Sequence, residues 1–308
     1  MTRRWTLAML AAVLVAAPLP AQGRRHGEED EYRTRIDTTV SLSKGGSVDL
    51  SLISGAINVT GSSRSDVRVK AYSERGVLQL DASPSRLVLS VRSDRGSMGD
   101  TRYDLQVPVG TRVLARSVSG DIAVRGVKAE VEAHSVSGQV QITQASSRVS
   151  FESVSGNVTA SRIDGSLRGN AVSGDISVDG VAGEVDVETV SGEIRLHGAR
   201  SKFVRAETVS GGIEYSGSAD ADGRYEFHSH SGDLRLTLPR DAGASFSTET
   251  FSGTVDCDCE MTLKPTEGTH DRPRRMQFQI GKGGARFTVE TFSGDIIIQR
   301  GASREQED

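Results

Sequence analysis

Three groups of side chains in this sequence have the types and spacing to do chemistry. Cys257 and Cys259 are the only cysteines and lie two residues apart. On an extended chain both turn to the same side, with Cα atoms roughly 6.6 Å apart, near the upper limit for a bridge. They are expected to be two buried small side chains, a mutual disulfide with a local bend, or halves of an intermolecular bridge or a metal site. His228 and His230, written His-Ser-His-Ser-Gly-Asp, also share a strand side and would need a third ligand to hold a metal. The plainer expectation is that they pack or meet solvent, with His230 filling a column otherwise held by Val. His134 falls in a polar column, and His197 and His270 have no evident partner.

Carboxylates form the third group. Asp121, Asp175, Glu193, Asp233 and Asp295 share one repeat position, and Glu152, Glu188, Glu207, Glu249 and Glu290 share another. Stacked about 4.8 Å apart, such groups repel unless paired or bridged by cations. Gln139, Asn157 and Gly212 interrupt the first series, and Arg116, His134 and Asn170 the second. No calcium-binding nonapeptide is present, so a solvated charged face is expected rather than a calcium site. A serine column (Ser119, Ser137, Ser155, Ser173, Ser191, Ser210, Ser231, Ser252, Ser293) carries no histidine or acid in register to activate a nucleophile. Acids recur at every level, so no glycosidase-like pair stands out. Aromatics make up 5% of residues, poor for stacking on sugars. Phosphate loops and zinc spacings are absent.

The elements that position these groups come from a repeat. Ser-Val-Ser-Gly recurs with glycines at 120, 138 and 156, followed by Ala-Val-Ser-Gly at Gly174 and Thr-Val-Ser-Gly at Gly192, all 18 residues apart. The series runs on through Gly211, Gly232, Gly253 and Gly294 at intervals of 19, 21, 21 and 41. Two and four residues after each glycine, and seven before it, the residue is apolar: Ile122, Val124 and Val113 in one repeat, Ile176, Val178 and Leu167 in another. Two before it stands Val or Ile in most repeats, then His230, Phe251 and Phe292. Polar residues alternate between them, the signature of half-buried strands. One coil cannot bury its apolar face, but stacked coils can. The pattern therefore predicts an all-β, single-stranded β-solenoid of 18–21-residue coils, with Val178 inward and Thr143 outward. Each glycine marks a corner needing positive φ or close backbone approach.

Residues 1–21 read as a secretory signal: Arg3 and Arg4, an apolar run from Trp5 to Ala17, then Pro18-Leu19-Pro20-Ala21. The run is too short for a comfortable membrane span, and the mature chain holds no transmembrane pattern. Removing two arginines takes the net charge from −4 to −6, which gives no support to nucleic-acid binding. Residues 22–35, dense in mixed charge and including His26, read as a flexible lead-in. A first coil fits Val48 to Val59; the period then breaks over residues 61–110, expected to form an antiparallel sheet that caps the open end. Residues 36–300 form the repeat domain, and 301–308 a polar tail. Two period-breaking loops are candidate contact sites: Arg92–Arg102, with Arg92, Arg95 and Arg102, and 262–275, with Lys264, Arg272, Arg274 and Arg275.

The signal, the Ser-Val-Ser-Gly-Asp-Ile coils, the Leu-Pro-Arg-Asp-Ala-Gly turn at 238–243 and the closing Thr-Phe-Ser-Gly-Asp-Ile-Ile-Ile strand resemble the bacterial putative-adhesin domain family, which includes LiaG-like proteins. The resemblance covers roughly residues 36–300. It implies an exported β-solenoid without established catalytic residues or cofactors. The Cys-Asp-Cys stretch and the basic loop after it depart from that pattern. The expected function is a non-catalytic, adhesin-like or structural binding module of the cell envelope, located in the periplasm, at the cell surface or outside. Its ligand would be a cell-surface group, a glycan or an envelope protein, and its ends could associate with one another. A carbohydrate-active β-helix lyase or hydrolase and an envelope-stress accessory are the competing readings.

Overall fold

The computed structural model describes residues 34–92, 99–263 and 274–301. The signal segment, most of the lead-in, Arg95, Lys264, Arg272, His270 and the tail after 301 lie outside the described residues. Among the described residues every regular element is a strand. They form two sheets, one holding the strands that precede each corner glycine and one the strands that follow it.

The 18-residue period becomes a parallel ladder in strict register. Val131–Ser135 pairs with Val149–Ser153 so that Val131 meets Val149 and Ala133 meets Phe151. Val140–Ser146 pairs with Val158–Asp164, placing Val140 on Val158 and Ile142 on Ala160. Each apolar column lies on itself one coil away, and its members are buried: Ile176, Val178, Val185 and Val187 are all 0% exposed. Volume is balanced along the columns. Phe151 sits between Ala133 and Gly169 in the pre-corner sheet, and a Cβ on Gly169 would stand 1.9 Å from the Phe151 ring.

The corners are set by backbone contact. A Cβ on Gly138 would lie 2.0 Å from the carbonyl oxygen of Gly120, and one on Gly156 1.9 Å from that of Gly138. From Gly120 to Gly192 close approach, without positive φ, is the reason glycine is required there, whereas Gly55, Gly211, Gly232, Gly253 and Gly294 also have φ between 122° and 158°. A second corner, six residues later, does need the left-handed region: Gly126, Gln144, Arg162, Gly180 and Gly198 have φ between 54° and 71°. That turn resets the alternation, so the residue after it points inward again. Val127, Ala145, Ile163, Val181 and Ala199 form an inner column missing from the sequence pattern. Thr143, which period-two counting places outside, is also buried, although Arg125 and Asp179 at the same position of other coils are exposed; its Oγ1 accepts from Ser161 Oγ at 3.3 Å.

Coil order in space departs from coil order in the chain at both ends. The antiparallel cap expected over 61–110 is present, but not every strand of that stretch belongs to it. Instead Arg86–Arg92 pairs parallel with Ser47–Leu52, and Thr101–Pro108 parallel with Gly55–Ser62, adding one further coil outside the first. Only Thr34–Ser41, Asp66–Ser73 and Val77–Ala82 add antiparallel strands at that end. At the other end the Gly294 coil inserts between those of Gly232 and Gly253. Ile296 and Ile298 gain neighbours on both sides and are buried, while Val255 and Cys257, with less apolar surface to hide, take the edge half-exposed. Arg274–Ile280 then covers Ala244–Ser252 antiparallel, with Met261–Leu263 outermost. Residues 262–275 are thus not all loop: 262 and 263 end one strand, and Arg274 and Arg275 begin another.

Val178→Asp should lower stability by more than about 3 kcal/mol, because it buries an unpaired charge in a closed column. Thr143→Asp should also be costly, whereas Thr159→Asp, exposed on the neighbouring coil, should be within about 0.5 kcal/mol of the parent. Equal melting temperatures for Val178→Asp and Thr159→Asp would contradict the column assignment.

Candidate binding groove along the glycine corner

The residue two before each corner glycine is not in the core. Ile53, Val118, Val136, Val154, Val172, Val190, Val209, Phe292 and Phe251 are between 42% and 62% exposed, and His230 stands exposed in the same column. The strand geometry explains it. The residue three before the glycine points inward, so its successor must point out. In space the column runs Ile53, Val118, Val136, Val154, Val172, Val190, Val209, His230, Phe292, Phe251, one residue per coil. Near one end it becomes aromatic. His230 stacks on Phe292 at 5.0 Å and Phe292 on Phe251 at 4.8 Å, with planes 11° and 4° apart. His230 is therefore a ladder member, not a packed substitute for Val.

A groove runs beside this ladder, lined along two stretches that share Asn170 and Ala171. Its floor is a column of small, buried residues, mostly hydroxyls, three before the glycine: Ser117, Ser135, Ser153, Ala171, Thr189, Thr208, Ser229, Thr291, Thr250. These hydroxyls secure the corner. Ser135 Oγ accepts from Gly138 N at 2.9 Å and donates to its carbonyl at 2.9 Å; Ser153 bonds Gly156 in the same way. Thr208, Ser229 and Thr291 donate to the glycine carbonyl one coil away, at 3.2, 3.0 and 3.2 Å. The serine immediately before each glycine is exposed, as at Ser119, Ser137 and Ser155. The bonding position is thus two residues earlier than the sequence column that attracts attention. Its signal, Ser or Thr at nearly every level, was present in the sequence.

The groove's second wall is the column four before the glycine. At one end it holds Arg116, His134, Glu152 and Asn170, with His134 bridging Glu132 (2.7 Å) and Glu152 (3.0 Å). At the other it holds Glu188, Glu207, His228, Glu290 and Glu249. Arg205 reaches Glu207 at 2.8 Å and Glu188 at 3.4 Å, and its pKa is raised, chiefly by the Glu207 hydrogen bond. His228 Nδ1 lies 3.3 Å from Glu290, and Arg275 pairs Glu249 at 3.1 Å.

The carboxylates just after the glycine do not simply repel. Asp121, Asp175, Asp233 and Asp295 each hand an oxygen to the backbone N–H of the equivalent one coil on, whereas Glu193 pairs with Arg195. Gln139 N donates to Asp121, Glu193 N to Asp175, and Asp295 N to Asp233, at 2.9, 2.9 and 3.0 Å. Asn157 does the same for Asp175 N at 3.0 Å, so acceptance rather than charge is what the position needs. Thr254 N and Oγ1 both donate to Asp295, which holds its carboxyl below the usual range, the backbone bond contributing most. Among the described residues no three His, Cys, Asp or Glu side chains gather as metal ligands.

The described residues of the two basic segments lie at opposite ends of the stack. Arg92 ends an exposed strand terminus near one end of the stack, and Arg102 lies on the strand Thr101–Pro108, paired with Asp104 at 3.0 Å. Arg274 and Arg275 sit on the strand opposite Thr250 and Glu249, at the other end. Cys257 and Cys259 form a disulfide with Cα atoms 5.3 Å apart, closer than an extended chain allows. The strand ends at Cys257 and the chain bends there, so neither sulfur is a simple core side chain.

A stacked two-sheet architecture with glycine corners agrees with the family model described as Toastrack DUF4097, which matches residues 125–299, more than half of the chain. The chain belongs to the Toastrack DUF4097 family. The matched part of this Toastrack chain contains most of the ladder and the whole acidic wall. Solved structures with detectable similarity include a putative adhesin from Bacteroides fragilis, 13% identical over 88% of this chain and 98% of that one, TM-score 0.43. A putative adhesin from Parabacteroides distasonis is 9% identical over 87% and 97%, TM-score 0.42. A putative cell adhesion protein from Clostridium sporogenes is 10% identical over 87% and 100%, TM-score 0.23. No curated protein matches the chain.

Two outcomes follow from this geometry. The Asp295 carboxyl has its folded pKa lowered, so its contribution to stability is present above the unfolded value of about 3.9 and is lost as pH falls through the folded value. Asp295→Asn should keep the bond to Thr254, as Asn157 does to Asp175, and should flatten acid melting below pH 4 relative to the parent; an unchanged acid limb removes Asp295 from that role. Iodoacetamide should leave the mass of the native chain unchanged and add two groups after reduction; labelling without reductant contradicts the disulfide.

Proposed function

We propose that this chain is an exported, non-catalytic, adhesin-like recognition module of the bacterial cell envelope, and that it holds its partner along the corner ladder. The observation that carries the reading is the ladder itself. Ten successive coils place an apolar or aromatic side chain, or His230, in water at a position where any solvated residue would satisfy the backbone. Contiguous exposed apolar surface on this scale marks interaction sites. Export is supported by residues 1–21, whose charged start, apolar run and small-residue end have the form of a secretory signal. The partner belongs among cell-surface groups, glycans and envelope proteins.

The groove suits adhesion better than turnover. Its floor hydroxyls are committed to corner bonds, and its carboxylates are paired with His134, Arg205, His228 and Arg275. The ring faces of Phe292 are covered by His230 and Phe251, so this part of the ladder offers edges rather than faces for stacking on sugars.

Binding of the purified chain to envelope fractions and a glycan array, with product analysis of every hit, tests the reading. Saturable binding without product is expected, and Val154→Asp should weaken it at least about tenfold with little change in melting temperature, since Val154 is outside the core. Turnover of a bound glycan would replace this reading with the lyase or hydrolase. Binding indifferent to Val154→Asp would remove the ladder as the contact surface.

A further inference from the structure

We propose a second binding site, for a neutral carbohydrate, in the groove that runs beside the second corner from Asp179 to Asp241. The site is separate from the exposed ladder and does not rest on it.

The groove has a volume of about 810 Å³, in the range of small-ligand sites. Its floor is backbone: Gly180, Gly198 and Gly217, on three adjacent coils, put no side chain into it. Packing does not demand this at the first two. A Cβ on Gly180 would meet nothing closer than 3.9 Å, and one on Gly198 nothing closer than 3.6 Å. Gln144 and Arg162 take the same left-handed turn on the two coils before Gly180 and carry exposed side chains there. The corner is thus filled on those two coils and open on the next three.

Charges of both signs line the groove without meeting. Asp179 and Asp241 supply carboxylates, Arg200 and Arg240 guanidinium groups, and among the described residues none of the four is in an ion pair. Asp179 leans over the floor, with its Oδ1 3.9 Å from the place a Cβ of Gly198 would take. Arg240 is tied down: its Nε donates to the Gly301 carbonyl at 3.3 Å, and its own carbonyl accepts from Arg300. Ser216 and Thr237, half-exposed on adjacent coils, add hydroxyls. A charged ligand would meet one like charge for every opposite one. A neutral molecule dense in hydroxyls can donate to the carboxylates and accept from the guanidinium groups, satisfying both at once. Ala199 and Leu238 are buried, so among the described residues Pro239 is the one apolar side chain exposed in the groove, too little to hold an acyl chain. The backbone beside it is already used between coils, Arg200 N on Val181 O, Ser218 N on Ala199 O and Gly301 N on Leu238 O, each at 2.8 Å, so a peptide cannot add there as a strand.

Isothermal titration of the full chain with a panel of neutral oligosaccharides, and with their uronic-acid counterparts, tests the site. Saturable binding of a neutral oligosaccharide is expected. Gly198→Gln places in the groove the side chain that Gln144 carries on its own coil, and should raise the Kd at least about tenfold at a melting temperature within about 5 °C of the parent. Asp179→Ala should weaken binding in the same way, whereas Val154→Asp on the ladder should leave it unchanged. No binding of any neutral oligosaccharide, binding confined to the uronic acids, or binding indifferent to both Gly198→Gln and Asp179→Ala would overturn the proposal. Binding lost with Val154→Asp and kept with Gly198→Gln also overturns it, moving the glycan to the ladder and leaving the recognition reading standing.

Discussion

Each corner glycine of the regular array rests with its Cα against the carbonyl oxygen of the glycine one coil away. No side chain fits in that contact, since a Cβ on Gly138, Gly156 or Gly192 would come within about 2 Å of the neighbouring carbonyl oxygen. Because backbone touches backbone there, the coils cannot slip relative to one another. The register of both sheets, the stacking of every apolar column on itself and the spacing of the outer ladder all follow. The 18-residue period is the length of chain that returns to this contact after two strands and two further turns.

The corner also sorts side chains. Three residues before the glycine a small hydroxyl turns inward and bonds the corner backbone, as Ser135 and Ser153 do. One residue on, the side chain must face water, and there this protein places Val, then His230 and two phenylalanines. One geometric requirement thus produces both a closed interior and an apolar line on the outside. The aspartates after the glycine complete the corner by accepting a backbone N–H from the next coil, as Asp121, Asp175 and Asp233 do.

At the ends the period gives way to different rules. An open stack leaves strand edges unpaired. At one end Thr34–Ser41, Asp66–Ser73 and Val77–Ala82 add antiparallel strands; at the other, Arg274–Ile280 and Met261–Leu263 do so. The post-corner sheet finishes at Val255–Cys257, where the disulfide to Cys259 bends the chain after three strand residues. A short, bent edge is a poor template for a further strand.

Much of this was legible in the residues. The glycine period, the period-two alternation and the absence of helical spacing determined an all-β solenoid, because repetition forces each position onto its own equivalent. Val178 was readable as core for that reason. Three things were decided only by the tertiary structure. The column Val127, Ala145, Ile163, Val181 and Ala199 is inside because the left-handed turn before it shifts the alternation, and a non-glycine residue such as Gln144 or Arg162 gives no sign of its φ. The Gly294 coil sits between those of Gly232 and Gly253 because the isoleucines of the last strand are better buried than Val255 and Cys257, a competition among coils far apart in the chain. The Val column lies outside because the residue before it points in, and apolar composition alone cannot tell a buried column from an exposed one. The sequence by itself determined which residues stack on which; the tertiary structure decided which of those columns face water, because the direction of a side chain depends on turns whose backbone angles the residue types do not specify.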